Sequence, residues 1–172
     1  MRLHLGAGFT HVSGTDSFGE KLTVSGGGGS FGLALGGAIR RNLVIFGNLF
    51  LSAPGTTDLK VNGVSSAPTD TSAAVFGIGP GIAYYVEPVN LYLSGTVAAM
   101  EFEIDDSNGH TLYQSKTGIG MQAMVGKEWW VSESWGVGIA GELVASSMKD
   151  NQDSKLTWGA VAFSIAFSAT YN

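Results

Sequence analysis

The sequence predicts an all-β fold, an eight-stranded antiparallel up-and-down transmembrane β-barrel formed as a single domain by residues 1–172. Three observations predict it. Strands alternate large apolar residues with small ones, where a soluble sheet would alternate apolar with charged. Links alternate between short and long, and aromatic residues gather at strand ends.

The last strand states the pattern most clearly. Val161, Phe163, Ile165, Phe167, Ala169 and Tyr171 alternate with Ala160, Ala162, Ser164, Ala166, Ser168 and Thr170. A soluble sheet turns its large residues inward and its charges to water, yet neither face here carries a charge. A membrane barrel inverts the arrangement, with large apolar residues toward lipid and small or polar ones toward a narrow lumen.

The other strands follow in chain order. The first runs from Leu3 to His11. The second puts Phe31, Leu33, Leu35 and Ile39 outward against Ser30, Gly32, Ala34, Gly36 and Ala38. The third offers Leu43, Ile45, Leu49 and Leu51, with Val44, Phe46 and Phe50 making it the least one-sided. The fourth sets Phe76, Ile78, Ile82, Tyr84 and Val86 against Gly77, Gly79, Gly81 and Ala83, and the fifth Leu91, Leu93 and Val97 against Ser94, Thr96 and Ala98. The sixth sets Ile119, Met121, Ala123 and Val125 against Gly118, Gly120, Gln122, Met124 and Gly126. The seventh sets Trp135, Val137, Ile139 and Leu143 against Gly136, Gly138, Ala140 and Glu142.

Short links fall at 40–42, 87–90 and 131–133; long ones fall at about 12–24, 53–72, 104–115 and 148–156 and hold much of the charge, including Asp16, Asp58, Asp70, Asp106 and Asp153. Short turns at one end and long loops at the other are the periplasmic and extracellular ends of an outer-membrane barrel. Hairpin parity agrees. Pairing about 132 sets Trp129 opposite Trp135 and Gln122 opposite Glu142; pairing about 41 sets Ile39 beside Leu43 and Leu33 beside Leu49; the 87–90 turn sets Val86 with Leu91 and Tyr84 with Leu93. Tyr84, Tyr85, Tyr92, Trp129, Trp130, Trp135 and Tyr171 lie at the short-turn ends, and Phe9, Phe50, Phe76, Phe102, Tyr113 and Trp158 near the long-loop ends. Two such belts are expected at two water interfaces; the girdle residues proper are taken as Tyr84, Trp129, Trp130, Trp135 and Tyr171.

Composition excludes other classes. The chain is 44% hydrophobic but only 13% charged, with 26 Gly, against roughly 25% charged and about 7% Gly in an ordinary soluble domain. A net charge of −5 leaves no basic footprint for nucleic acid. Without Cys, a disulfide framework and a thiolate zinc site are excluded. The purest apolar run, Leu43 to Leu51, contains Gly47 and Asn48 and is far shorter than the roughly 20 residues a spanning helix needs. No signal peptide is visible at the N-terminus, so the chain reads as a mature form.

With Gly77 to Tyr85 (GIGPGIAYY), Asn90 to Ser94 (NLYLS), Gly126 to Gly141 (GKEWWVSESWGVGIAG) and the amphipathic last strand on the page, the chain resembles the small outer-membrane β-barrel superfamily, the OmpA-, OmpX- and OmpW-like barrels. The resemblance is one of pattern and covers essentially the whole chain. It implies a Gram-negative outer-membrane location, contact with membrane lipid and lipopolysaccharide, and insertion by the barrel-assembly machinery, which reads an aromatic terminus; here Tyr171 precedes Asn172.

Motifs for chemistry are few. Gly136 to Gly141 matches G-x-G-x-x-G, but strand alternation runs through it, whereas a dinucleotide site needs a helix there. Asp105 to Gly109 resembles the start of a calcium loop without its distal Glu. His4, His11 and His110 are read as solvated, and the run Gly26 to Gly29 as the place where the first loop becomes the second strand. Lys127 and Arg40 are expected to snorkel to the short-turn interface. No catalytic residue, metal or cofactor is expected.

Glu142 is the one carboxylate placed in mid-strand facing the lumen, and with Gln122 opposite it forms a lumen polar pair, since a lone buried carboxylate would be costly. Eight strands enclose a space that side chains just fill, and Val44, Phe46, Tyr85, Tyr92, Met100 and Trp158 are candidates to plug it. The reading is a non-enzymatic barrel serving envelope structure or binding an unknown partner through its loops. The alternatives are a narrow channel for small or apolar solutes, a lipid-modifying enzyme in the barrel wall, and a soluble calycin-like barrel.

Overall fold

The computed structural model describes residues 1–15, 19–54, 58–65, 72–105, 110–151 and 156–171. Eight long strands, β1 (Arg2–Thr15), β2 (Lys21–Arg40), β3 (Leu43–Pro54), β6 (Ser72–Val86), β7 (Leu91–Asp105), β9 (Gly118–Trp130), β10 (Trp135–Lys149) and β11 (Thr157–Tyr171), pair antiparallel with their chain neighbours. β11 closes the sheet on β1, from Arg2 opposite Thr170 to Thr15 opposite Thr157. Closure removes every edge of the long strands, the requirement for crossing a bilayer with strands.

Parity holds in all eight strands, in β2 as far as the bulge at Ala38/Arg40. Leu5, Leu93, Ile119, Met121, Ile165 and Phe167 are 60–66% exposed on the outer face. The rows between them point inward, and in β3 the even residues Val44, Phe46, Asn48, Phe50 and Ser52 do so, which settles its facing. An apolar outer surface of this extent around a filled interior is the arrangement of a lipid-facing barrel.

Several expectations are corrected. The β9–β10 link has four residues rather than three, because Val131 N–H donates to the Trp135 carbonyl at 2.9 Å and the Ser132 hydroxyl accepts from Trp135 N–H at 3.0 Å. Trp129 therefore lies opposite Val137, and Glu142 opposite Met124. A two-residue slip leaves every side chain on its own face, so the lumen assignment survives the change in register. Leu33 does face Leu49, but a bulge at Ala38/Arg40 takes Ile39 out of register with Leu43. The 87–90 link pairs Val86 with Leu91 and Tyr84 with Leu93.

Strands also run further into the long-loop side than expected. Gly26 to Gly29 lie inside β2 opposite Thr10 to Ala7. Three short strands, β4 (Asp58–Val61), β5 (Val64–Ser65) and β8 (Thr111–Gln114), extend the wall there, β4 on β2 and β8 on β7. Asp16, Asp70, Asp106, Asp153, Lys155, Asn172 and all but Asp105 of the calcium-like segment lie outside the described residues.

Candidate functional site

The candidate site is the lumen, and three levels of it differ in chemistry. At mid-height a polar belt crosses from wall to wall. Asn48 on β3 donates through Nδ2 to Thr96 Oγ1 on β7 at 3.1 Å and to Gln122 Oε1 on β9 at 2.6 Å. Gln122 Nε2 donates to Glu142 Oε1 on β10 at 2.5 Å, and Ser164 Oγ on β11 donates to Glu142 Oε2 at 2.5 Å. Ser30 on β2 meets Ser164 at 3.0 Å, and His4 on β1 brings Nε2 to 3.5 Å from Glu142 Oε1. Seven of the eight long strands thus contribute a side chain. β6 contributes Gly77, Gly79 and Gly81 instead, and a Cβ at Gly77 would collide with the Phe50 ring.

Glu142 and Gln122 are each 3% exposed and in direct contact, though diagonal rather than directly opposite. His4 corrects the solvated reading: it is 2% exposed, its imidazole lodged where a Cβ on Gly32 would sit. A buried carboxylate is tolerated only when its oxygens are hydrogen-bonded, and both Glu142 oxygens are.

Toward the long loops the lumen is apolar. Phe50, Met100 and Phe102 are fully buried, Met148 is 1% exposed, and Trp158 is 5% exposed with its ring centroid 5.7 Å from that of Phe102. Phe50, Phe102 and Trp158 are therefore not members of an outer aromatic belt: each lies at an even position, and even positions in β3, β7 and β11 point inward. Above them the Tyr113 hydroxyl donates to Asp150 Oδ2, and Trp158 Nε1 donates to the same oxygen at 3.0 Å. Burial and the neighbouring Asp150 carboxylate push the Tyr113 phenol up from its ordinary pKa.

Toward the short turns the lumen is charged. Arg2 Nη2 stands 3.1 Å from Glu128 Oε1, with Nε at 3.2 Å; Nη2 also donates to the Tyr85 hydroxyl. Thr170 Oγ1 donates to Glu128 Oε1 at 2.7 Å, and the Arg2 Cζ lies 3.8 Å from the centroid of the Tyr92 ring. Tyr85 and Tyr92, both expected as plug residues, lie in the lumen. Below Arg2 the barrel opens into a cavity of about 280 Å³. Of the girdle residues, Tyr84, Trp129, Trp135 and Tyr171 are 45–51% exposed at this end, Trp135 and Tyr171 meeting edge to face at 5.2 Å. Trp130, in the inward row, turns over the mouth and lines the cavity. Lys127 faces outward with Nζ 5.8 Å from the Trp129 ring.

Arg2, His4, Asn48 and Glu128 were not anticipated in the lumen. The signal was parity: Arg2 and His4 share a row with Gly6 and Gly8, and Glu128 shares one with Gln122 and Met124. His11 and His110 are exposed, on the outer face of β1 and just ahead of β8.

No protein-family model and no curated protein matches the chain. Solved structures do. Neisserial surface protein A has 17% identity and a TM-score of 0.56 over 95% of each chain. The outer membrane protein OprG from Pseudomonas aeruginosa has 12% identity and a TM-score of 0.53, over 99% of this chain and 96% of that one. The outer membrane protein AlkL, solved in lipid bilayers, has 14% identity and a TM-score of 0.52, over 99% of this chain and 89% of that one. At these identities the likeness is one of fold, that of the small eight-stranded outer-membrane barrels.

Proposed function

We propose that this chain is an integral, non-enzymatic barrel of the bacterial outer membrane whose lumen is shut and which acts through its long loops, in envelope structure or in binding a surface partner. The observation that carries the reading is the packed long-loop half of the lumen, where Phe50, Met100, Phe102, Met148 and Trp158 are at most 5% exposed. That packed layer lies above a hydrogen-bonded belt, so the described residues occupy the lumen at two successive levels. Membrane placement is supported by the wide apolar outer face and by a fold shared with two outer membrane proteins. Lipopolysaccharide is the expected neighbour of the upper outer face, and the barrel-assembly machinery the expected partner in insertion.

The test is conductance of detergent-refolded protein in a planar bilayer, beside a Phe50→Ala/Trp158→Ala double variant. The native chain should insert silently and the double variant should give discrete steps. Steps from the native chain that change in Glu142→Ala would replace this reading with a narrow channel through the belt. Folding in plain buffer without detergent would replace it with a soluble ligand-binding barrel. A change in the lipid A of cells caused by His110→Ala would restore the enzyme reading.

A further inference from the structure

We infer that the cavity at the short-turn mouth is a binding site for a small organic anion, a carboxylate on an apolar or aromatic body. Its volume of about 280 Å³ lies at the small end of ligand pockets, enough for a compact molecule and too little for a folded peptide segment. Arg2, Tyr85 and Thr170 stand between it and the polar belt, none of whose residues lines it.

The charge arrangement selects an anion. Among the described residues, the charged side chains that line the cavity are Arg2, Arg41 and Glu87, and Met1, whose ammonium donates to the Tyr171 carbonyl, lines it as well. Glu87 is held by Arg41 at 3.3 Å, and both are well exposed. Glu128, the partner of Arg2, is 1% exposed and is not part of the lining. It takes the Nε and Nη2 side of the guanidinium, Tyr85 also engages Nη2, and Nη1 makes no hydrogen bond among the described residues. Arg2 is thus neutralised by a carboxylate outside the lining, while Tyr85 and Thr170, which accept from its Nη2 and Nε, line the cavity beside it. A guanidinium fixed this way by a carboxylate, a phenol and the face of Tyr92 is already oriented for a second planar acceptor. The body of the ligand is selected by Phe46 and Trp130 on the walls and by small residues such as Ala38, which leave the space open. An apolar pocket with a few converging polar groups is the general form of a small-molecule site.

The test is calorimetric titration of 3-phenylpropanoate into the barrel in lipid nanodiscs, corrected with empty nanodiscs. We expect saturable one-to-one binding. The uncharged 3-phenylpropanamide should bind about tenfold or more weakly, the size of a lost charge-assisted hydrogen bond. Ala38→Phe, which fills the cavity from an exposed position, should abolish binding while the barrel stays folded by gel mobility of unboiled samples, and Arg41→Ala should weaken it several-fold. Absence of saturation up to roughly 10 mM, equal binding of acid and amide, or binding unchanged in Ala38→Phe would each overturn the site. The site depends only on the mouth, so its failure leaves the closed-lumen reading standing, and conductance of the native chain leaves the site to its own test.

Discussion

Above the polar belt the lumen is filled by Phe50, Met100, Phe102, Met148 and Trp158; below it the same eight strands leave about 280 Å³ open over a buried Arg2–Glu128 pair. Strand number sets the width at both levels, so side-chain size makes the difference. In the upper half a large residue from one strand fills the place that a glycine leaves on the next, as Phe50 does over Gly77 and Met100 over Gly120. At the lower mouth Ala34, Gly36, Ala38 and Ala83 come together on β2 and β6 with too few large partners to cover them. One barrel can therefore be sealed at one end and receptive at the other without any change in topology.

The two halves should fail differently. Arg2→Met should cost about 3–5 kcal/mol in urea unfolding from lipid vesicles, because it strands Glu128 as an unpaired buried charge. Arg2→Met/Glu128→Leu should recover most of that loss; a double variant as unstable as the sum of its parts would mean that the pair supplies packing rather than charge compensation. Phe50→Ala should cost a similar 3–5 kcal/mol, by the different route of an empty cavity. No second substitution that leaves the cavity empty should rescue it, whereas refilling from the neighbouring strand with Gly77→Leu should. Rescue by polar substitutions instead would mean that the upper half is wetter than its burial implies.

The outer wall was the most legible part of the molecule, because a period of two assigns every residue of a strand to a face once one face is known. That reasoning located Glu142 and Gln122 in the lumen even though the β9–β10 register slipped by two residues. It would also have placed Arg2, His4 and Glu128 there. Charge and imidazole near a strand end fit a solvated rim as well as a lumen, and only burial distinguishes the two. The same ambiguity set Phe50 and Phe102 in the outer belt, whereas Trp158, also expected as a plug residue, does fill the lumen; their even positions carry more information than their nearness to the loops. Contacts across the barrel were not legible at all. Asn48 meets Gln122 over 74 residues of chain, and nothing local to either announces the other before the sheet closes.

The outer face offers a comparison of its own, between the band and the loop strands. Leu93 on β7 and Leu112 on β8 are 61% and 58% exposed, alike by that measure. Leu93→Arg should cost about 2–4 kcal/mol in vesicles, the range for a cation on the lipid face, whereas Leu112→Arg should stay within about 0.5 kcal/mol of native, as for a change in water. Equal effects at the two positions would contradict a lipid-facing band that ends below β8.

The smallest effect concerns what holds the loop side over the plug. The Tyr113 hydroxyl donates to Asp150, whose carboxylate also accepts from Trp158. Tyr113→Phe removes the bond to Asp150 and the one that the Tyr113 hydroxyl accepts from Trp158 Nε1 at 2.9 Å, and should cost about 0.5–1.5 kcal/mol. Its clearer mark is in pH. Burial and the Asp150 carboxylate raise the Tyr113 pKa in the folded state, so the folded chain holds this proton more tightly than the unfolded one. The stabilisation is then complete below the ordinary tyrosine value of about 10 and shrinks as pH rises from there toward the raised folded value. Amide exchange of β8 should accordingly quicken above about pH 10 in the native chain. In Tyr113→Phe it should be faster at neutral pH and lack the alkaline rise beyond that of intrinsic exchange. Identical alkaline profiles would assign the latch to Trp158 and Asp150 alone, with Tyr113 resting on it only as an apolar cover.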